Sequence, residues 1–300
     1  MKKSIVVFGA NGFIGSNLAR YVVDNNLLDE YEFLFVGNKT IHYKIEGLNY
    51  ELLDLTNSFA LTDFLLKIKP NYIINLAGVI DNVSLDNCLS INAELPRKIF
   101  EIVLLHDLVI DNILLVGSAA EYGENKNFPI SESEKLHPLS YYGLSKTIQT
   151  EYFKFYSQRL NINVVRTFNV IGPFISNKLA IGAFIDKINK CNDKGIIHTG
   201  SLSSKRDYLD VNDVIAAFLS VLFKGKSGEV YNVCSGKGIS MSDILNSLIK
   251  ASGKSIQVVV DDKLFKQVNV PVSYGDNTKL KKHTGWEAKI DIENSCKNLF

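Results

Sequence analysis

Tyr142 and Lys146 stand four residues apart in the stretch SYYGLSK, Ser140 to Lys146. On a helix that spacing puts both side chains on one face, while Tyr141 points elsewhere. A free phenol titrates near pH ~10, and a close ammonium favours the phenolate and lowers that value. Such a tyrosine can exchange a proton with an alcohol or a ketone at neutral pH. The pattern also arises by chance in many helices, so it gains weight only from other parts of a site. One such part is GANGFIG, in which Gly9, Gly12 and Gly15 follow an apolar run and open a helix, with Phe13 and Ile14 inside the turn. Glycines let the backbone approach a pyrophosphate, and a helix N-terminus supplies N–H groups and positive dipole. These five residues are therefore candidate dinucleotide contacts. A plain strand-to-helix turn is the alternative, and a place directly after the first strand counts against it. The spacing is Gly-x-x-Gly-x-x-Gly, not the Gly-x-Gly-x-x-Gly of ordinary dehydrogenases.

An acid at the end of the second strand would bind the adenosine ribose of NAD. The sequence there is FVGNKT, with Asn38 and Lys39 at the expected places and no carboxylate. This favours NADPH, with NADH left open; a merely solvated Lys39 is the competing reading. In LLDLTN, Asp54 can accept a hydrogen bond from the adenine amino group, with Leu55 beside it as a further cofactor contact. Helix capping by Asp54 or Thr56 is compatible with that role.

These residues need a frame that brings them together. Apolar runs at 4–9, 32–36, 71–78, 112–118 and 162–172 read as strands, and helices are expected over about 13–26, 57–68, 87–105 and 140–158. The alternation predicts an α/β fold, a doubly wound, Rossmann-type parallel sheet with ligands at the carboxyl ends of its strands. A smaller C-terminal substrate-binding lobe follows. The expected division is 1–170 for the dinucleotide-binding domain, completed by a helix and strand within about 208–234, and 171–207 with 235–300 for the lobe.

The chain has 300 residues, 46% of them hydrophobic, and a net charge of +1, which argues against nucleic acid or a membrane surface as partner. Its four cysteines and five histidines are scattered, so no metal site is expected and free thiols fit a reducing compartment. No segment reads as a secretory signal or a membrane span, and a cytoplasmic protein is expected.

Taken in order, the glycine turn, Asp54, NLAG at 75–78, Ser118, and the Tyr142–Lys146 pair resemble the extended short-chain dehydrogenase/reductase family over essentially the whole chain. Its members are NAD(P)-dependent nucleotide-sugar epimerases, dehydratases and reductases. The resemblance implies that Leu76, Ala77 and Gly78 line the cofactor. It makes Ser118 the hydrogen-bond partner of the reacting oxygen, with Ala119 beside it at the substrate. Tyr142 becomes the acid/base, and Lys146 holds the nicotinamide ribose. RTFNVIGP at 166–173 implies that Asn169 faces the nucleotide-sugar, and KRDYLDVNDV at 205–214 that Arg206 contacts it. GEVYNVCSGKGISM at 228–241 and VPVSYGDNTKLKKHTGW at 270–286 are most similar to the branch of GDP-mannose 4,6-dehydratases and GDP-4-keto-6-deoxymannose reductases, with the reductases closer. In KQVNVP at 266–271, Lys266 stands where that branch has an arginine on the diphosphate, and Asn269 replaces an acid. Lys266 keeps the charge without the bidentate fork, which leaves dTDP-linked substrates open beside GDP-linked ones.

Dehydratases of this group carry an acid just after the active-site Ser or Thr, needed to remove water across C5 and C6. In GSAAEYG the position two after Ser118 is Ala120, and Glu121 should fall on the far side of an extended backbone. A one-residue slip would reverse that. The expected activity is thus NAD(P)H-dependent reduction of the C4 ketone of a nucleotide-linked 4-keto-6-deoxyhexose, giving a 6-deoxyhexose nucleotide for surface polysaccharide. A 4,6-dehydratase or 4-epimerase that recycles its cofactor is the alternative. A nucleotide-sensing protein without catalysis is a further one, disfavoured by the retained tyrosine and lysine. The helices near 87–105 and 140–158 resemble those that pair in family homodimers.

Overall fold

The computed structural model describes residues 2–40, 44–80, 83–264 and 270–300. Lys266 and Asn269 lie outside the described residues. Strands β1 (Lys3–Phe8), β2 (Tyr31–Gly37), β3 (Asn49–Leu52), β4 (Tyr72–Asn75), β5 (Asn112–Ser118), β6 (Ile162–Thr167) and β11 (Val230–Val233) form one seven-stranded sheet in the order β11-β6-β5-β4-β1-β2-β3. Every neighbouring pair in it is parallel. Its central strands are continuous runs of Ile, Val, Leu and Phe because both faces are covered. Helices α1 (Phe13–Asp24) and α7 (Val211–Lys224) pack on one face around Val7, Leu18, Phe35 and Phe218. On the other, α2 (Ser58–Ile68), α4 (Leu95–Leu105) and α5 (Tyr141–Tyr156) enclose Val6, Leu65, Ile99 and Phe153. Strand order reverses between β1 and β4, which opens a crevice at their carboxyl ends.

Three sequence expectations are corrected in detail. The helix expected over 87–105 is divided into α3 (Leu85–Leu89), a π-helical turn at Ser90–Glu94, and α4. The strand expected over 162–172 divides at Phe168, whose N–H still bonds Val233 O at 3.1 Å. Beyond it β7 (Asn169–Ile171) leaves the large sheet to pair with β10 (Tyr208–Asp210). The run at 71–78 is strand only to Asn75, and NLAG continues as loop.

The remaining elements build the lobe. Strand β8 (Lys194–Thr199) pairs with β13 (Ser255–Val260), and β9 (Lys205–Arg206) lies between β12 (Ile239–Ser240) and β14 (Val272–Ser273). Helices α6 (Ala180–Lys190), α8 (Met241–Ser252) and α10 (Ile292–Lys297) close a separate small core over Phe184, Ile188, Ile197, Leu245 and Cys296, while α9 (Thr278–Thr284) packs on α7. No helix among the described residues is long and apolar enough to cross a membrane.

Candidate active site

The glycine turn is shaped by close approach. Gly9 has φ +93°, and a Cβ there would lie 2.7 Å from the backbone of Leu76 and Ala77. A Cβ on Gly15 would lie 2.4 Å from Gly9 O, so α1 can begin only where residue 15 has no side chain. Gly12 is the N-cap of α1 and offers no side-chain cap, which leaves the first-turn N–H groups facing the crevice. This cradle fits a pyrophosphate. At the end of β2, Asn38 and Lys39 are exposed, and Asn11 Nδ2 donates to the carbonyls of Lys39 (3.4 Å) and Thr40 (3.2 Å). The Asp54 carboxylate accepts from Thr56 N (2.9 Å) and Thr56 Oγ1 (2.6 Å), which holds its pKa below the usual carboxylate value. The cap of α2 is Asn57, not Asp54 or Thr56; its side chain accepts from Phe59 N and Ala60 N. Leu55 turns its side chain into the core, so only its backbone can face the crevice.

Ser118 ends β5, next to Thr167 at the end of β6 in the sheet register. The chain then tightens into a 3₁₀ turn, Ala119–Glu121, capped by the Ser118 hydroxyl, which accepts Ala120 N–H at 3.2 Å. Ser140 caps α5 by accepting Gly143 N–H at 3.0 Å, and Tyr142 and Lys146 follow on one face. Gly143 lets this helix start against the serine turn, since a Cβ there would lie 2.6 Å from Ala120 O. Tyr141 is 44% exposed and turned away.

The Tyr142 phenol is shifted up from 10.0, mainly by burial; the Ser118 side chain, as its hydrogen-bond partner, opposes this, and Glu121 and Cys88 add to it. Lys146 is buried, and its ammonium donates to Val116 O (2.7 Å) and Gln149 Oε1 (3.1 Å). Burial brings it down to about 8. The expectation that Lys146 depresses the phenol is thus corrected: the ammonium's hydrogen bonds go to Val116 and Gln149, and the phenol is raised.

A cleft of about 560 Å³ opens over these groups, lined by Phe13, Ile14, Ser118, Ala119, Ala120 and Tyr142 on the sheet side. Asn169 and Arg206 line it from the lobe side. Asn169 Nδ2 donates to Asp207 O at 2.9 Å, and the Arg206 guanidinium is anchored on the carbonyls of Val270 and Pro271. Among the described lining residues there is no carboxylate. Glu121 is not part of the wall. Its carboxylate is buried beneath it, paired with Arg166 at 2.9 Å. The extended backbone assumed from the sequence is instead a 3₁₀ turn, and Glu121 faces inward for that reason.

Sequence reasoning missed Arg166, Asn92 and Asp207, and the role of Glu121, in shaping this site. Arg166 is the one charge in β6, INVVRT, every residue of which is buried, and such a charge needs a buried partner. Glu121 is that partner. Asn92, in the π-helical turn, clamps both backbone groups of Val79 and donates to Ser145 Oγ, each at 2.9 Å. Gly78 lies between this asparagine and Lys146, with its added Cβ 3.3 Å from Asn92 Oδ1 and 3.7 Å from Lys146 Nζ. Asp207, next to Arg206, gathers the loops around the lobe.

Comparison with known proteins matches residues 5–234 to the model described as the NAD dependent epimerase/dehydratase family. A protein of Methanocaldococcus jannaschii named for UDP-glucose 4-epimerase is 30% identical, over 98% of this chain and 96% of its own. GDP-6-deoxy-D-talose 4-dehydrogenase of Aggregatibacter actinomycetemcomitans is also 30% identical, over 92% of this chain and 89% of its own. The solved structure of RMD from Pseudomonas aeruginosa complexed with NADPH superposes with a TM-score of 0.82 at 22% identity, covering 99% of this chain and 97% of that one.

Proposed function

The chain belongs to the NAD dependent epimerase/dehydratase family of NAD(P)-dependent nucleotide-sugar-modifying enzymes, and we propose that its own reaction is reduction of the C4 ketone of a nucleotide-linked 4-keto-6-deoxyhexose. The observation that carries this reading is the cleft wall beside Ser118, which presents Ala119 and Ala120 and, among the described residues, no carboxylate. Removing water across C5 and C6 needs an acid/base near the sugar; reducing a ketone needs a proton donor only. A reduced nicotinamide cofactor, its pyrophosphate held by the glycine cradle and its nicotinamide ribose by Lys146, would supply hydride to C4. Tyr142 gives its proton to the developing alkoxide, and the Ser118 hydroxyl hydrogen-bonds the same oxygen. A phenol raised above 10.0 is protonated at neutral pH, the form a donor needs. Lys146 holds the nicotinamide ribose, while Asn169, Arg206 and Lys266 bind the nucleotide-sugar. The absence of a carboxylate at Asn38 and Lys39 supports NADPH. The relative that acts as a 4-dehydrogenase on a GDP-linked 6-deoxyhexose supports the same chemistry and a GDP-linked substrate, with dTDP as the other candidate. The product is a 6-deoxyhexose nucleotide for surface polysaccharide. We place the enzyme in the cytoplasm as a homodimer through α4 and α5, which expose Leu105 (77%) and Phe155 (69%).

A 4-epimerase is the second reading, favoured by the relative named for that activity. Incubation with GDP- and dTDP-4-keto-6-deoxyhexoses plus NADPH or NADH separates the two. Stoichiometric oxidation of the cofactor, with product NMR showing a new C4 carbinol, is the expected result. Interconversion of UDP-glucose and UDP-galactose without net change in cofactor, and no oxidation by any ketosugar, would overturn the reductase reading.

A further inference from the structure

We propose that Glu121 is a positioning residue that fixes Ser118 and Tyr142 in one reactive geometry, with Arg166 as its counter-charge. This rests on reading Ser118 and Tyr142 as the groups that meet the reacting oxygen, and on nothing about the sugar. Glu121 and Arg166 are 0% and 3% exposed. One carboxylate oxygen accepts Ser118 N–H at 2.9 Å; the other takes Arg166 Nε at 2.9 Å and the Thr150 hydroxyl at 2.7 Å. Arg166 continues to Tyr122 Oη at 3.1 Å and the Glu132 carbonyl at 3.3 Å. A single carboxylate therefore joins the end of β5, the interior of β6 and the catalytic face of α5. Thr150 is four residues beyond Lys146, itself four beyond Tyr142, so all three share one stripe of that helix. The chain makes room for this: a Cβ on Gly117 would lie 2.6 Å from Glu121 Oε1.

A buried ion pair is a weak device for stability alone, because desolvation offsets its attraction and an apolar pair often serves as well. What an apolar residue cannot do is hold the Ser118 amide and so aim its hydroxyl. Glu121 also sets negative charge behind the reactive pair, pushing both Tyr142 and Lys146 up; the Cys88 thiol on α3 faces the same two groups. The other titratable groups against Glu121 are Arg166 and Tyr122; those against Tyr142 include Lys146 on its own helix.

The test is an ultraviolet titration of the Tyr142 phenol, read as the difference between each protein and its Tyr142→Phe form. The backgrounds are wild type, Glu121→Gln, and Glu121→Gln/Arg166→Met, the last so that no arginine is left unpaired. The phenol is expected to titrate lower than wild type in both variants, because Glu121 is one of the groups that raise it. On whichever nucleotide-sugar turns over, kcat should fall about 10-fold or more with KM nearly unchanged. A double variant that folds, melts lower, and leaves both titration and kcat at wild-type values overturns the proposal, since Glu121 then only packs. Should the Glu121 variants not fold, Thr150→Val removes one hydrogen bond of the carboxylate; a kcat loss of about 3-fold at constant KM supports the proposal, and an unchanged kcat overturns it. The titration needs no sugar, so failure of the ketosugar reading leaves it intact, while kcat is read on whichever nucleotide-sugar turns over.

Discussion

Lys146 is placed where a lysine is costly. Its amine is buried and comes down from 10.5 to about 8. A lysine whose folded value lies below its unfolded value withholds stability at low pH: the folded chain gives up the proton near 8, the unfolded chain only near 10.5. Stability from this group is therefore missing at neutral pH and returns as pH climbs through that window. Lys146→Met should be more stable than wild type by about 2–3 kcal/mol at neutral pH, with the gap closing toward pH ~10.5. Val116 O keeps a partner in that variant, because Gln149 Nε2 also donates to it at 3.3 Å. Urea unfolding across the pH range checks this, and the same variant should lose ketone reduction. A variant that is less stable than wild type at neutral pH would show that the two hydrogen bonds of the ammonium outweigh its desolvation. The four-residue spacing to Tyr142 disclosed this lysine in the sequence, but not where its ammonium points, which depends on Val116 in another element.

At the scale of elements, two tendencies oppose each other at Gly143. Alanine in a helix is favoured over glycine by about 1 kcal/mol. Yet a Cβ there would meet Ala120 O at 2.6 Å, and a backbone oxygen held in a capped turn cannot swing aside as a flexible side chain would. The contact should win, and Gly143→Ala should displace α5 from the serine turn. A shift near 1 Å between Tyr142 and Ser118 costs about 100-fold in rate. The expected result is a large loss in kcat, with NADPH binding, measured by fluorescence titration, weakened far less, because the pyrophosphate cradle belongs to β1 and α1 and only the Lys146 contact moves with α5. The strands that carry these residues were legible because β1, β2 and β5 are continuous apolar runs. Edge strand β3, NYEL, was not: half exposed and polar, it gains its identity only from pairing with β2. The π-helical turn that aims Asn92 has no composition to mark it. The sequence placed Glu121 on the far side of an assumed extended backbone; it does lie off the cleft wall, but the 3₁₀ turn and the Arg166 partner that hold it inward are tertiary facts.

For the molecule as a whole, Asp207 joins the lobe to the sheet. Its carboxylate accepts from Ser235 N (2.6 Å), Ser235 Oγ (2.7 Å), Gly236 N (3.0 Å) and Gly275 N (3.3 Å), and its carbonyl accepts both Asn169 N and Asn169 Nδ2. One residue thereby fastens the loops after β11 and β14 to β7, beside Arg206. Burial raises the carboxyl from 3.8 to about 6 against the pull of those donors. An acid raised on folding gives stability that is full below its unfolded value and lost as pH rises through the folded one, here from about 4 to about 6. Replacing it with alanine leaves buried N–H donors unsatisfied, at about 1–3 kcal/mol each. Asp207→Ala should therefore lower stability at all pH values, and the deficit should be larger near pH 5 than at pH 7. The consequence for function should be divided by lobe. The carbonyl that holds Asn169 survives in this variant, but the loops after β11 and β14, beside Arg206, lose the carboxylate that fastens them, so KM for the nucleotide-sugar should rise about 10-fold. The glycine cradle lies on the other side of the crevice and shares no hydrogen bond with Asp207, so NADPH affinity should not change. Calorimetry with the nucleotide diphosphate and with NADPH measures the two separately. Equal weakening of both would mean that the lobe and the cofactor site move as one unit.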